Sequence, residues 1–450
     1  MTTELAGRLL SLSPLFVFVA CSSADSGTIQ LVTGGETDTF TRSPAPTTLR
    51  VDALDPSGND TVLATATLPA TTIDLGTRDA NAVATLAVSG LDASGRKLVF
   101  GTSLPVVYGG LSGATIPIFV QRTGELARMP GPLSDSRQGP LLSVVQGQYL
   151  FVGGGSDGSL AAATQLYDFA QFAPLPSPPS LPRAPESIAF AGTVAWLIDR
   201  AGGTYFDFAR NAHGDIVLPP GGSFADVAGG ATVADGSGAL YVVGATRTSG
   251  PATAVVLKID PGDTSNAKYP FGNPSWLALT VPRVRAAATW VAARGLVVAG
   301  GSTSGAGVEV IQPGSTSGVA LAYPPDPSFG AGASALDTQH VLLAGGVGPA
   351  GEDSGARAVD LACASQCAPV AWAALPVPLA FAQAFTLDPA GAFVVGSELA
   401  SGQTHALRLT TTSAIEVPTK VMHRSARAVW SPVGSIVVFG GASIIESFSP

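Results

Sequence analysis

The chain contains few charged residues and few of the side chains from which most catalytic and metal sites are built. Only 12% of its 450 residues are charged, and lysine and histidine occur four times each. The net charge of −9 at pH 7 argues against the basic face that nucleic-acid binding requires. We therefore expect no nucleic-acid partner, and the scarcity of histidine and charge argues against an enzyme.

Long apolar runs are missing as well. After residue 20 no stretch of 18 consecutive apolar residues occurs, whereas a membrane-spanning helix needs about 20 such residues. Glycine (54) and proline (35) are instead abundant, and both residue types interrupt regular elements at turns. The composition predicts a soluble, all-β protein with many turns and few long helices.

The N-terminus is the one apolar exception. Residues 9–20 form a short apolar core that ends in small residues and is followed at once by Cys21 and Ser22, a pattern typical of an export signal. Because Cys21 follows Phe18-Val-Ala, the segment resembles a bacterial lipoprotein signal. The resemblance implies removal of residues 1–20, a lipid-modified Cys21 anchored in the outer membrane, and a linker over residues 21–27. The alternatives are a plain secretory signal, which would make the protein secreted, and a buried strand.

The other two cysteines, Cys363 and Cys367, have the spacing C-x3-C. An even pair at loop spacing in an exported protein is typical of a disulfide, and a disulfide is what we expect here. Two free thiols remain the alternative, and a metal site would need further ligands.

Residues 28–122 alternate apolar and polar side chains in about seven short segments, which turn signals such as Asp92-Ala-Ser-Gly separate. Alternation with period two predicts half-buried strands. About seven such strands in about 100 residues favour a small immunoglobulin-like β-sandwich.

The remaining chain, residues 123–450, repeats one short pattern. Seven copies of a short apolar run recur at steps of 44 to 56 residues; six end on glycine, and the seventh, Val194–Ile198, is a weaker copy without it. A strand that closes on aspartate follows, as in Leu166-Tyr-Asp168, and an arginine often precedes the run. The repeat-motif glycines are Gly153, Gly154, Gly244, Gly300, Gly301, Gly345, Gly346, Gly396, Gly440 and Gly441.

The repeat resembles Kelch repeats and the propeller domain of galactose-oxidase-like proteins. The resemblance lies in three features that recur in phase: runs that end on glycine, strands that end on aspartate, and upstream arginines (Arg137, Arg183, Arg285 and Arg424). The resemblance implies a seven-bladed β-propeller, or a six-bladed one if residues 194–198 form no blade. A unit of about 45 residues cannot bury both faces alone, and packing around an axis solves this problem. We expect residues 125–133 to supply the strand that completes the last blade. The third-strand aspartates are expected to cap turns.

Several motifs point to chemistry that their context does not support. Gly346-Val-Gly-Pro-Ala-Gly351 spells a dinucleotide motif, but a strand rather than a helix is expected after it. The copper ligands of galactose oxidase cannot be mapped onto this chain. His340 and His423 are expected at a surface or blade edge. We therefore expect no cofactor, no metal and no catalytic residue.

These observations favour a non-catalytic, monomeric envelope lipoprotein whose propeller binds a protein or glycan ligand, with the membrane as a second partner through Cys21. The alternatives are a secreted or surface propeller enzyme, either a degenerate oxidase or a hydrolase, and a structural envelope component.

Overall fold

The computed structural model describes residues 23–24, 27–55, 57, 59–70, 72–75, 78–79, 81–108, 113–156, 162–176, 178, 180–208, 212–244, 252–262 and 272–450. The proposed signal peptide and Cys21 lie outside the described residues. Within these ranges the chain is all-β: it forms forty strands and one 3₁₀ turn at Phe224–Asp226. No helix in the described part of the chain is long and apolar enough to cross a membrane.

The N-terminal region forms two main sheets around one apolar core. Its strands are β1 Ser23–Ala24, β2 Thr28–Val32, β3 Thr48–Leu54, β4 Asp60–Thr67, β5 Thr72–Asp74, β6 Arg78–Asp79, β7 Val83–Leu91, β8 Lys97–Val107, β9 Thr115–Phe119 and β10 Gln121–Arg122. One sheet has the order β10-β8-β7-β3-β4 and the other β5-β2-β9, in which β2 and β9 run parallel. The alternation seen in the sequence brings Val51 and Val88 of the first sheet against Ile29 and Ile118 of the second.

The rest of the described chain forms seven four-stranded antiparallel sheets. Sheet 1 contains β12 Leu141–Val145, β13 Tyr149–Gly153, β14 Gln165–Asp168 and β15 Ala173–Pro174, and sheet 2 contains β16 Ser187–Ala191, β17 Val194–Ile198, β18 Gly203–Asp207 and β19 Ala212–Asp215. Sheet 3 contains β20 Thr232–Ala234, β21 Leu240–Val243, β22 Thr253–Pro261 and β23 Gly272–Arg283, and sheet 4 contains β24 Ala287–Val291, β25 Gly295–Ala299, β26 Val308–Ile311 and β27 Val319–Ala320. The weak sequence copy thus forms a complete sheet, and the succession of sheets is consistent with a propeller-like fold.

Sheet 5 contains β28 Gly332–Ala335, β29 His340–Ala344, β32 Ala356–Asp360 and β33 Val370–Ala371, with the hairpin β30 Val347–Gly348 and β31 Gly351–Glu352 inserted. The dinucleotide-like motif itself forms this hairpin, and strand β32 rather than a helix follows it. Sheet 6 contains β34 Ala380–Asp388, β35 Gly391–Ser397, β36 Thr404–Thr410 and β37 Ala414–Glu416. Sheet 7 contains β38 Arg427–Trp430, β39 Ile436–Phe439, β40 Glu446–Phe448 and β11 Leu126–Arg128.

Sheet 7 joins the two ends of the repeat region. Leu126 pairs with Phe448 and Arg128 with Glu446 in an antiparallel ladder, which confirms the expected pairing of residues 125–133 with the last repeat. Pairing across more than 300 residues of sequence joins the two ends of the repeat region within one sheet, and such pairing covers a strand edge that would otherwise be exposed.

The third-strand aspartates cap turns in two sheets. Asp168 Oδ1 accepts a hydrogen bond from the backbone N–H of Ala170 (2.7 Å) and Asp360 Oδ1 from that of Ala362 (2.8 Å). These are the short-range bonds by which Asx side chains stabilise turns, as the sequence predicts.

Arg283 and Glu309 form a fully buried ion pair that ties sheet 4 to the last strand of sheet 3. Glu309, on β26, accepts hydrogen bonds from the backbone N–H groups of Thr280 (2.7 Å) and Val281 (3.0 Å) on β23. Arg283 donates to Glu309 (2.9 Å) and to the carbonyl of Gly300 (2.8 Å). We call this cation–acceptor arrangement the clasp. It leaves neither buried charge unpaired, which would be costly.

The clasp recurs in sheets 1 and 7 with different residues. In sheet 1, Arg137 donates to the carbonyl of Gly154 (3.1 Å) and pairs with the carboxylate of Asp135, while Gln165 accepts from the backbone N–H of Ser134 (2.8 Å). Gln165, Glu309 and Glu446 occupy equivalent ladder positions, opposite Val152, Val298 and Val438.

Histidine replaces arginine in the clasp of sheet 7. His423 Nδ1 lies 2.9 Å from the carbonyl oxygen of Gly440 and therefore donates to it, and His423 Nε2 lies 3.2 Å from Glu446 Oε2. Glu446 accepts from the backbone N–H of Val421 (2.9 Å). Both side chains are fully buried, so the expectation that His423 lies at a surface or edge is wrong. The role of His423 in the clasp could not be recognised from the sequence, because arginine occupies the equivalent position in sheets 1 and 4.

We predict that His423→Leu destabilises the protein by about 1–3 kcal/mol, because it removes the hydrogen bond to the carbonyl of Gly440 and leaves buried polar groups beside an apolar side chain. His423→Arg is expected to retain more stability than His423→Leu, since arginine fills this position in sheets 1 and 4. Urea unfolding measures both. The control is His340→Leu, whose exposed pair with Asp337 should contribute at most about 1 kcal/mol; equal losses for the two leucine variants would contradict the clasp.

Candidate functional site

The first strands of all seven sheets line one central cavity of about 660 Å³. Glycine and alanine make up about half of its walls, as at Gly332 and Ala333 on β28. Small side chains let the first strands approach one another and leave the centre open. The larger lining side chains include the charged Glu186, Arg285 and Arg427 and the aromatic Phe381 and Phe385, and these groups limit what the cavity can bind.

One backbone position recurs just before or at the start of each first strand, and we call it the rim position. Its residues are Gly139, Pro185, Gly229, Arg285, Gly330, Phe381 and Ser425. All except the proline have positive φ, a region that glycine adopts freely and other residues rarely. Backbone hydrogen bonds connect some of them across sheets: Gly139 N–H donates to Ser425 O (2.9 Å) and Gly330 N–H to Arg285 O (2.9 Å).

Arg285 and Phe381 place large side chains on this left-handed backbone, with φ of 43° and 50°. Such a conformation costs about 1–3 kcal/mol for a residue other than glycine. Gly330, between them in the rim, has no side chain, and a Cβ there would lie 2.8 Å from the Phe381 ring. The Arg285 guanidinium lies 5.1 Å from the centre of that ring, close enough for a cation–π contact.

Arg427, on the first strand of sheet 7, approaches the same phenyl ring. Its guanidinium carbon lies 6.0 Å from the ring centre, and Nη1 donates to the carbonyl of Phe381 (2.8 Å). Phe381 thus brings two cations from sheets 4 and 7 together at the cavity. We call Arg285, Phe381 and Arg427 the arginine cluster.

Neither arginine of the cluster forms an ion pair with a carboxylate in the described part of the chain. Burial, and then the Arg285 guanidinium, lower the pKa of Arg427 to about 10. Burial and Arg200 lower the pKa of Arg285, and Glu186 opposes them. Glu186 itself pairs with Arg200 at 2.8 Å, and Arg285 Nε is buried without a hydrogen-bond partner among the described residues. The cluster is therefore a site of concentrated positive charge.

Besides the two arginines, six polar side chains line the same cavity: Gln138, Ser156, Glu186, Ser187, Thr232 and Gln383. Glu186 pairs with Arg200, and Ser187 and Gln383 form hydrogen bonds within the protein, which leaves Gln138, Ser156 and Thr232. Gln138 and Ser156 use their backbone groups to pair with each other (2.8 and 2.9 Å). Within the described ranges, none of the three side chains forms a hydrogen bond to the protein. They leave an amide and two hydroxyls for a bound molecule.

The predicted site residues lie in several places. In sheet 1 the left-handed glycine pair is Gly154 and Gly155 (φ 59° and 78°), and Gly153 ends β13 without positive φ. The pairs Gly300–Gly301, Gly345–Gly346 and Gly440–Gly441 have positive φ, whereas Gly244 and Gly396 do not. A Cβ at Gly244 would lie 2.5 Å from the carbonyl of Val255, so close approach requires glycine there.

The upstream arginines do not share one role. Arg137 belongs to a clasp, Arg183 pairs with Asp199 and Arg285 belongs to the cluster. Sequence reasoning missed Arg283 and Arg427. For Arg283 the available signal was its distance from the glycine pair, which equals that of Arg137.

Cys363 and Cys367 form a disulfide with a Cα–Cα distance of 5.8 Å. Cys367 is buried, and its N–H donates to the carbonyl of Ala322 (3.1 Å). The bridge closes the turn after β32 and holds it against the segment that follows sheet 4. The expected disulfide is present, away from the cavity lining.

Among the described residues no three His, Cys, Asp or Glu side chains converge as metal ligands. No protein-family model matches the chain, and no curated protein matches it either.

Proposed function

We propose that residues 123–450 form a seven-bladed, Kelch-like β-propeller that binds a ligand in its central cavity without catalysing a reaction on it. Residues 28–122 are an immunoglobulin-like domain that precedes it. Seven four-stranded sheets and the closing pair of β11 with β40 support the blade number. The sandwich of a five-stranded and a three-stranded sheet supports the immunoglobulin-like assignment.

The observation that carries the binding role is the central cavity itself. Seven first strands contribute to its wall, and binding sites in proteins are typically concave, largely preformed and equipped with a few placed polar groups. The arginine cluster and the free side chains of Gln138, Ser156 and Thr232 are such groups. Two cations and a phenyl ring can bind a molecule by charge and by packing. These groups favour a binding role over a catalytic one.

We also propose that Cys21 is lipid-modified and anchors the protein in the outer membrane. Its signal-like surroundings support this role. The backbone of Ser23 and Ala24 pairs with Asp79 and Arg78, so the chain joins the N-terminal region within three residues of Cys21. A tether this short would hold that region next to the lipid surface.

Filling the cavity should abolish ligand binding. Thr232 is exposed and lines the cavity, so Thr232→Trp adds an indole there without disturbing the buried core. We expect this variant to lose the ligands that the wild-type protein captures on arrays of glycans and peptides. The control is Val319→Trp, an exposed position on the last strand of sheet 4. Capture that survives Thr232→Trp would place binding elsewhere.

Cell fractionation tests the anchor. In a Gram-negative host, we expect the full-length protein to sediment with outer membranes and to carry the mass of a diacylglyceryl and an acyl group, because several acyl chains bind membranes stably. Cys21→Ala should lose both properties. A wild-type protein that is free of lipid and cleaved at another residue would contradict the anchor and leave the propeller proposal intact.

A further inference from the structure

We infer that the ligand of the central cavity is an acidic glycan whose negatively charged group binds Arg285 and Arg427. The inference rests on the proposed binding role of the cavity and adds the chemical class of the ligand. Both a uronate carboxylate and a sulfate ester offer the oxygen pair that guanidinium groups bind.

The first argument is the charge of the arginine cluster. Arg427 donates one hydrogen bond to the carbonyl of Phe381 (2.8 Å). Its other N–H groups pair with no carboxylate among the described residues. Glu186 lines the same cavity and acts electrostatically on Arg285, but it already pairs with Arg200. Two half-buried like charges repel each other, and an oxyanion between them would remove that repulsion.

The second argument is backbone strain. At the rim position, three sheets use glycine, which adopts positive φ without cost. Sheets 4 and 6 instead hold Arg285 and Phe381 in this conformation. Strain that could be relieved by a glycine, yet is retained in a cavity, is typical of a functional site.

The third argument favours a glycan over an acidic peptide. The Phe381 ring offers an apolar face beside the charges, and the alanine and glycine walls are equally suited to the C–H face of a sugar ring. The uncommitted Gln138, Ser156 and Thr232 side chains match several hydroxyls. A peptide offers fewer hydroxyls for these groups, and buried polar groups left unpaired weaken binding.

Calorimetry with defined oligosaccharides tests the inference on the full chain carrying Cys21→Ala. The probes are oligogalacturonate, a sulfated galactan oligomer, a neutral galactan oligomer of equal length and an acidic peptide of equal charge. We expect one of the two acidic oligosaccharides to bind, more weakly as salt is added, and the neutral oligomer and the peptide to bind at least about tenfold more weakly. The better acidic probe identifies carboxylate or sulfate.

Variants of the cluster supply the second test. Arg285→Gly and Arg427→Gln are each expected to weaken binding of the acidic probe about tenfold to hundredfold, because each removes charge-assisted hydrogen bonds. Arg285→Gly should also melt no lower than the parent protein, since glycine relieves the positive φ. Ser425→Gly is the matched control: it relieves the same strain without removing a cation, and its affinity should stay within about twofold.

The outcomes separate this inference from the proposed function. Suppose that Thr232→Trp abolishes binding while Arg285→Gly and Arg427→Gln leave it unchanged. That result would contradict an acidic ligand and would still support binding in the cavity. Equal binding of neutral and acidic oligomers would do the same. Stronger, arginine-dependent binding of the acidic peptide would overturn the glycan. Acidic-glycan binding that Thr232→Trp does not affect would overturn the cavity as the site.

Discussion

The buried clasp is the interaction on which the rest of the structure depends. In sheet 4 it joins three strands at once, because Glu309 on β26 holds the backbone of β23 while Arg283 reaches the carbonyl that follows β25. A buried ion pair contributes little net stability by itself, but breaking it is expensive. The clasp therefore fixes how one sheet follows the next more than it adds to the free energy of folding. Apolar packing between sheets, as among Leu296, Val298 and Leu277, supplies the driving force.

In sheets 4 and 7 the clasp also accounts for the strained backbone of the rim residues Arg285 and Ser425. The clasp cation lies two residues before the rim residue in sheets 1, 4 and 7, as Arg283 lies before Arg285. Between them, Val284 N–H donates to the carbonyl of Gly301 (2.9 Å). The clasp holds the chain before the rim residue, and a hydrogen bond to the next rim residue holds the rim residue itself. These contacts impose the left-handed conformation on any residue at the rim position. Scaffold and site are thus close in sequence: in sheet 4 the clasp residue Arg283 lies two positions before Arg285, which lines the cavity.

The sequence predicts much of the fold and little of the site. Alternation and glycine-ended apolar runs locate the sheets, including the weak copy Val194–Ile198, because each second strand is buried on both sides. The pairing of residues 125–133 with the last repeat follows from counting strands. The arginine cluster could not be predicted, since Arg285 and Arg427 are 142 positions apart and meet only through closure of the seven sheets. Arg283 and Arg285 differ by two residues, and only the backbone geometry shows that one is a clasp and the other faces the cavity. His423 was mistaken for an edge residue because histidine and arginine serve the same position.

A crystal structure of the protein with a bound acidic oligosaccharide would test this account most directly. The account predicts density for a carboxylate or sulfate within hydrogen-bonding distance of both Arg285 and Arg427, with a sugar ring beside Phe381. It further predicts that Arg285 and Phe381 keep positive φ and that the clasps of sheets 1, 4 and 7 are unchanged. An empty cavity with the sugar bound elsewhere, or arginines turned toward carboxylates of their own chain, would contradict it.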